Sequence, residues 1–243
     1  MAGTATAATR MAAMMIMPEA SATAGGQQSL LRLMTWLSPA FPVGGFVYSG
    51  GLEAAVEGGH LADGNALAPW LSTLLSSGSL RNDAILLGEA HRVFDDPERL
   101  LGVAELAAAL AGSAERYSES VRQGDAFLAA ASAWPHAVLD VFSGGTAYSV
   151  AVGAVAAAHG VTVCDTLAAY LHAQCAQLVS AAIRLGLIGQ RQGVAVLAGL
   201  EPLILRQSEA VAGLTLDDLG SATVIADMLS MRHETQYSRL FQS

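Results

Sequence analysis

The residues with the widest chemical range in this chain are six histidines, two cysteines and a scatter of serines and aspartates. A zinc or nickel centre needs three or four ligands brought to one point. Of His60, His91, His136, His159, His172 and His233, only His172 stands near a second ligand at helical spacing, Cys175. No third ligand lies close to that pair, and no HExxH motif occurs. A core thiol beside a hydrogen-bonded histidine is the plainer reading. No tight nickel site is therefore expected in the isolated chain; a site shared across two copies is the alternative. Ser38, Ser49 and Ser143 lack the GxSxG setting of a nucleophile elbow. Asp95-Asp96 and Asp217-Asp218 read as helix caps, not acid/base dyads. Gly44-Gly45 and Gly50-Gly51 fit no phosphate-binding spacing. All 12 basic residues are Arg, which excludes a Walker A lysine, a Schiff-base lysine and a kinase-type lysine. The expectation is a protein that is not an enzyme and carries no cofactor.

Two stretches point to binding instead. Ser38 to Glu53 reads SPAFPVGGFVYSGGLE. Pro39 and Pro42 each lack an N–H and restrict the residue before them. Gly44 and Gly45 permit positive φ. Tyr48 and Ser49 then lead into a helical pattern at Glu53. A long, heavily specified connection of this kind is more often functional than passive. The second stretch ends the sequence, MRHETQYSRLFQS. Tyr237, Arg239, Leu240 and Phe241 are concentrated there, and Tyr and Arg are frequent interface anchors. Docking is expected of both stretches, with a tail folded back on its own core as the plainer alternative.

The elements that must position these stretches are helical. Apolar spacing predicts helices over Gln28–Leu37, from Leu52 to Val56, after an Asp63 cap, from Asn82 or Asp83, over Glu98–Ala111 and over Ser113–Ala131. The Ser113–Ala131 helix carries Glu115, Arg116, Glu119, Arg122 and Asp125, placed on an exposed or partner-facing side. Further helices are expected over Thr166–Leu185, Arg191–Leu200, Pro202–Ala212 and from Thr215 to Arg232. Arg184 neutralises the end of the Thr166–Leu185 helix and Gly186 caps it. No period-two alternation of β-branched residues is found.

Asp140 to Asp165 and Thr166 to Ile183 are uncharged between their ends, which raises a membrane hairpin. Both are built of Ala, Gly, Ser and Thr, which favours a tightly packed core instead. Only 14% of residues are charged, too few to cover a monomer comfortably, so self-association is expected. A net charge of −9 argues against nucleic acid. Two cysteines suit a reduced, cytoplasmic setting. Arg10 with Met11–Met17 imitates a secretory leader, but a disordered low-complexity tail over residues 1–27 is the better reading. The fold class is all-α: a single-domain bundle over 28–243, of about ten helices around a central buried helix at about 166–185.

The loop PVGGFVYSGGLE, the segment Ala181-Ala182-Ile183-Arg184-Leu185 with Gly189-Gln190, and the ending His233-Glu234 with Tyr237-Ser238-Arg239-Leu240-Phe241 together resemble the urease accessory protein UreF family. Asp83, Gly124, His136 and Gly153 also fit the family pattern. Leu187-Ile188 stands where the family has Pro-containing sequence before Gly-Gln, and Gln242 replaces an Arg. The resemblance implies a non-enzymatic, all-helical, cytosolic, nickel-handling chaperone. Such proteins form homodimers, bind a UreD/UreH-like protein and recruit the GTPase UreG to deliver nickel to apo-urease. Partner contacts are then expected at Pro42, Gly44, Gly45, Tyr48, Ser49, Glu53, Arg184, Gln190, Tyr237, Arg239, Leu240 and Phe241. A regulator of the GTPase's nucleotide hydrolysis, acting through Arg184 or Arg239 in trans, is the alternative.

Overall fold

The computed structural model describes residues 17–243, with side chains from residue 25. The first part of the expected low-complexity tail, residues 1–16, lies outside the described residues. The helices are α1 (Met17–Trp36), α2 (Leu52–Glu57), α3 (Leu67–Ser77), α4 (Ser79–Arg92), α5 (Pro97–Ala109), α6 (Ala114–Ala131), α7 (Tyr148–Ala158), α8 (Val163–Arg184), α9 (Gln190–Ala212) and α10 (Val224–His233). Short 3-10 turns at Gly45–Val47, Gly64–Ala66, Ala137–Val141 and Leu216–Asp218 connect them. Among the described residues there is no strand, as the missing alternation implied. None of the described helices is long and apolar enough to cross a membrane.

Local chemistry sets most boundaries. Asp96 accepts a hydrogen bond from Arg99 N at 3.2 Å and Pro97 opens α5, an arrangement that satisfies one orphan donor and uses the ring's fixed φ. Ser113 caps α6 through Arg116 N at 3.1 Å. Thr162 caps α8 through Asp165 N at 3.2 Å. The end of α8 closes with Leu187 N donating to Ala182 O at 3.0 Å around Gly186.

α8 packs against α2, α3, α4, α7 and α9 and is central to the core, and α7 is the most completely buried of the described helices. Tyr148 through Ala156 are all buried, and α4, α6 and α8 pack about this helix. Close approach is possible because a methyl at Gly153 would overlap Leu87 O, and one at Gly124 would overlap Thr146 O. The Thr166–Leu185 stretch was expected to be buried all round. In α8, however, Leu167, Tyr170, Leu171, Cys175, Leu178 and Ala182 face inward while His172 is exposed and Ala173, Gln177, Ser180 and Arg184 are partly so. Absence of charge masked a side made of small and uncharged polar residues.

Other boundaries also differ. α1 begins at Met17 rather than Gln28; Ala-rich sequence continues the helix backward. α4 begins at Ser79, and Asn82 and Asp83 serve tertiary contacts instead of a cap. Pro202 lies inside α9 rather than opening a new helix. Gly193, Leu200, Ile204, Ser208 and Val211 keep one buried stripe in phase across it, so packing outweighs the lost hydrogen bond. Thr215 and Asp218 form a capping box on the Leu216–Asp218 turn, not on α10.

A clasp between the loop and the final residues

The Pro/Gly loop and the 234–243 segment close on each other. Gly44 and Gly51 have φ of 71° and 81°, where a Cβ would be strained. They flank the Gly45–Val47 turn and deliver Tyr48, Ser49 and Glu53 to the interior. Ser49 donates to Ser243 O through its backbone N at 2.8 Å and also through its hydroxyl. Gln242 N donates to Val47 O at 2.8 Å. Phe241 and Ser243 are buried as a result.

Glu53, from the first turn of α2, is the centre of the clasp. It is 7% exposed. Its Oε1 accepts from Leu240 N at 2.7 Å, and its Oε2 accepts from Phe241 N at 3.0 Å. The same Oε2 lies 3.0 Å from Nε2 of His233, whose Nδ1 is 2.7 Å from Oε2 of Glu115. Arg239 donates to Glu115 Oε1 at 2.6 Å. Each ring nitrogen of His233 faces a carboxylate oxygen, and the Arg239 guanidinium sets a positive charge beside the two carboxylates, which offsets part of the cost of burying them.

A second network lies directly beneath, on α6. Arg116 donates to Glu119 Oε2 at 3.1 Å and to Asp83 Oδ2 at 3.2 Å. Glu119 Oε2 also accepts from the Ser243 hydroxyl at 2.9 Å, which joins the two networks. Burial raises the Asp83 pKa, partly offset by Arg116. Burial works against the charge on Arg116, but Glu119 and Asp83 outweigh it and the net shift is upward. Burial also raises the Tyr48 hydroxyl, with Arg122 working against it. The charged side of α6, expected to be exposed or partner-facing, is partly internal: Glu119 is buried, Glu115, Arg116 and Asp125 are half-buried, and Arg122 is exposed.

The expected binding residues separate into groups. Tyr48, Ser49, Glu53, Arg239 and Phe241 meet in the clasp. Arg184 reaches it from α8, its Cζ 3.7 Å from the Phe46 ring centroid and 4.2 Å from that of Phe241. Pro42, Gly44 and Gly45 line an adjoining cleft with Arg184. Tyr237 and Leu240 stand out to solvent, Tyr237 completely. Gln190 is exposed at the start of α9, with no hydrogen bond to the clasp. Tyr48, expected as a partner contact, is only 5% exposed. Sequence reading passed over Asp83, Glu115, Arg116 and Glu119 as clasp supports. For the three on α6 the signal was the concentration of charge in one helix of a charge-poor chain.

The arrangement offers little to a metal. Among the described residues no three His, Cys, Asp or Glu side chains gather at ligand spacing. His233 meets its two carboxylates on opposite ring edges, so no point is shared. Cys175 is buried, its thiol pushed up to about 12 by burial, while His172, three residues before it on α8, is exposed.

By its relatives this all-α chain falls in the class of urease accessory proteins. The UreF family model matches residues 61–201. The urease accessory protein UreF of Agrobacterium fabrum is 60% identical over 218 residues, covering 90% of this chain and 98% of its own length. That of Rhizobium etli (strain CIAT 652) is 57% identical over 216 residues, covering 89% and 97%. That of Mesorhizobium japonicum is 53% identical over 215 residues, covering 88% and 96%. The chain belongs to the UreF family.

Proposed function

We propose that this chain is a non-enzymatic scaffold of urease maturation in the cytoplasm. It docks a UreD/UreH-like protein, recruits a UreG-like GTPase and so assists nickel insertion into apo-urease. The observation that carries the reading is the division of labour in the 234–243 segment. Its backbone and Phe241 are pinned by Glu53, while Tyr237 and Leu240 are held bare. Beside them α10 exposes Val224, Ile225, Met228 and Met231. A bare apolar face with a fixed aromatic is typical of a contact surface. A second open face, Leu30, Leu31 and Met34 on α1 beside the small residues of α8, supports self-association.

Arg239 is bonded to Glu115 and Arg184 lies between two rings, so an arginine acting in trans on GTP would first have to leave these partners. The scaffold reading therefore takes precedence over the regulator reading. The test is co-purification with the UreD/UreH-like protein and the GTPase. Tyr237→Ala with Leu240→Ala should leave helicity and melting unchanged and reduce the complex by at least about tenfold, since anchors of this type often contribute ~2 kcal/mol. Full recovery of the complex would refute docking through this segment.

A further inference from the structure

Arg184 is a fixed positive charge without an anion. Its Nε and Nη2 are covered and have no hydrogen-bond partner among the described residues, and no ion pair to it is formed there. The two rings stack on its faces, which offsets part of the loss of water. They leave the in-plane donors unmade, and a covered donor without an acceptor is unfavourable. Burial accordingly lowers its pKa. Nε–H and Nη2–H are the side-on fork of the guanidinium, the edge that matches both oxygens of a carboxylate.

What covers the fork differs on its two faces. Phe241 is 4% exposed and fixed through Glu53. Phe46 is 67% exposed, so its ring can leave without opening the core. Behind it is a cleft of about 460 Å³ between the 37–46 loop and α8, lined by Phe41, Val43, Gln177, Ser180 and Arg184 among others. Arg184 is the one Arg in that lining, which also includes His172. A single charge with a planar fork fits a monoanionic carboxylate better than a phosphate, which needs more donors.

We propose that Arg184 is a closed carboxylate receptor. Phe46 swings aside, and the fork takes an Asp or Glu side chain of the protein that docks on the clasp. The site is continuous with the exposed Leu240 through Phe241, so one partner can reach both. This rests on the docking reading above.

The test uses the full chain and sodium acetate as probe, followed by the Nε–H resonance of Arg184. Acetate should give a saturable shift that sodium chloride at equal ionic strength does not. Phe46→Ala should lower the half-saturation concentration, and Arg184→Lys, which keeps the charge but loses the fork, should abolish the response to acetate reported by neighbouring amides. No saturable response in either the wild type or Phe46→Ala would overturn the proposal. So would tighter saturation by inorganic phosphate. In co-purification, Arg184→Lys should reduce the complex by about tenfold, the equivalent of a lost charge-assisted bond, with melting unchanged. If Arg184→Lys assembles normally while the Tyr237/Leu240 variant does not, the receptor inference fails and the docking reading stands. If both assemble normally, both fail.

Discussion

The contact of α4 with α7 and the clasp at Glu53 both have a buried centre, and they are held by opposite means. At the first, Gly153 lies against Leu87 O and the neighbours are Ala and Val. Nothing there is charged; what holds it is how closely two backbones approach. At the second, two carboxylates, an Arg, a His and several backbone donors meet, and hydrogen bonds hold the contact. The difference teaches where each region can change. A close-packed contact has one arrangement. A clasp built from hydrogen bonds can open as a unit when a competing donor or acceptor arrives, while the core behind it stays folded.

The largest expected effect comes from breaking the first. Gly153→Val places a branched side chain where a methyl already overlaps Leu87 O. Overpacking against backbone should cost ~3 kcal/mol or more. For a chain of this size that lowers the melting temperature by roughly 6–12 °C. Thermal melting by circular dichroism reads it, and a variant that melts with the wild type would show that α4 and α7 do not depend on that approach.

Glu53→Gln should have a smaller and local effect. The amide loses the negative charge and sets an NH2 against donors from Leu240, Phe241 and His233. Breaking a buried, multiply bonded carboxylate costs ~3 kcal/mol, about a hundredfold in opening. Hydrogen exchange at the Leu240 and Phe241 amides should rise by about that factor, while amides of α7 keep their protection. Uniform loss of protection across both regions would mean the clasp and the core are one cooperative unit.

The same contrast explains what could be read in advance. Helices over α3, α5 and α6 were legible because capping side chains and apolar spacing are local signals. The family resemblance was legible in the loop and the ending because both are dense in unusual residues. The complete burial of α7 was not, since α7 has no charge, α8 has charge only at Asp165 and Arg184, and small residues give little amphipathic contrast. Nor was the clasp. Glu53 and Glu115 stand 62 positions apart in numbering, and nothing in either local pattern says that His233 will lie between them. The tail was read as an interface with fold-back as the alternative. In the structure it is both fixed and exposed, because Phe241 alternates with Leu240 and Tyr237 between inside and outside.

The smallest effect concerns pH and the packed side of the comparison. His91 on α4 has Nε2 at 2.8 Å from Val161 O. A carbonyl only accepts, so Nε2 carries a proton in this contact. Burial lowers the His91 pKa, with the Val161 bond opposing and Arg92 adding to the fall. Burial and Arg32 lower His159 in the same way; its Nε2 is 3.2 Å from Trp134 O. In the unfolded chain both titrate near the ordinary value of 6.5. Below that pH the unfolded chain binds more protons than the folded one, so folding loses stability as pH falls from about 6.5 towards the lowered values. Above 6.5 both states are neutral and the contribution is intact. Urea midpoints should therefore be level from about pH 8 to 7 and decline from about 6.5 to 5.5. His91→Gln, which keeps a donor for Val161 O but does not titrate, should make that decline shallower. A midpoint that stays constant through this window, or an equal decline in the variant, would show that His91 does not resist protonation in the fold.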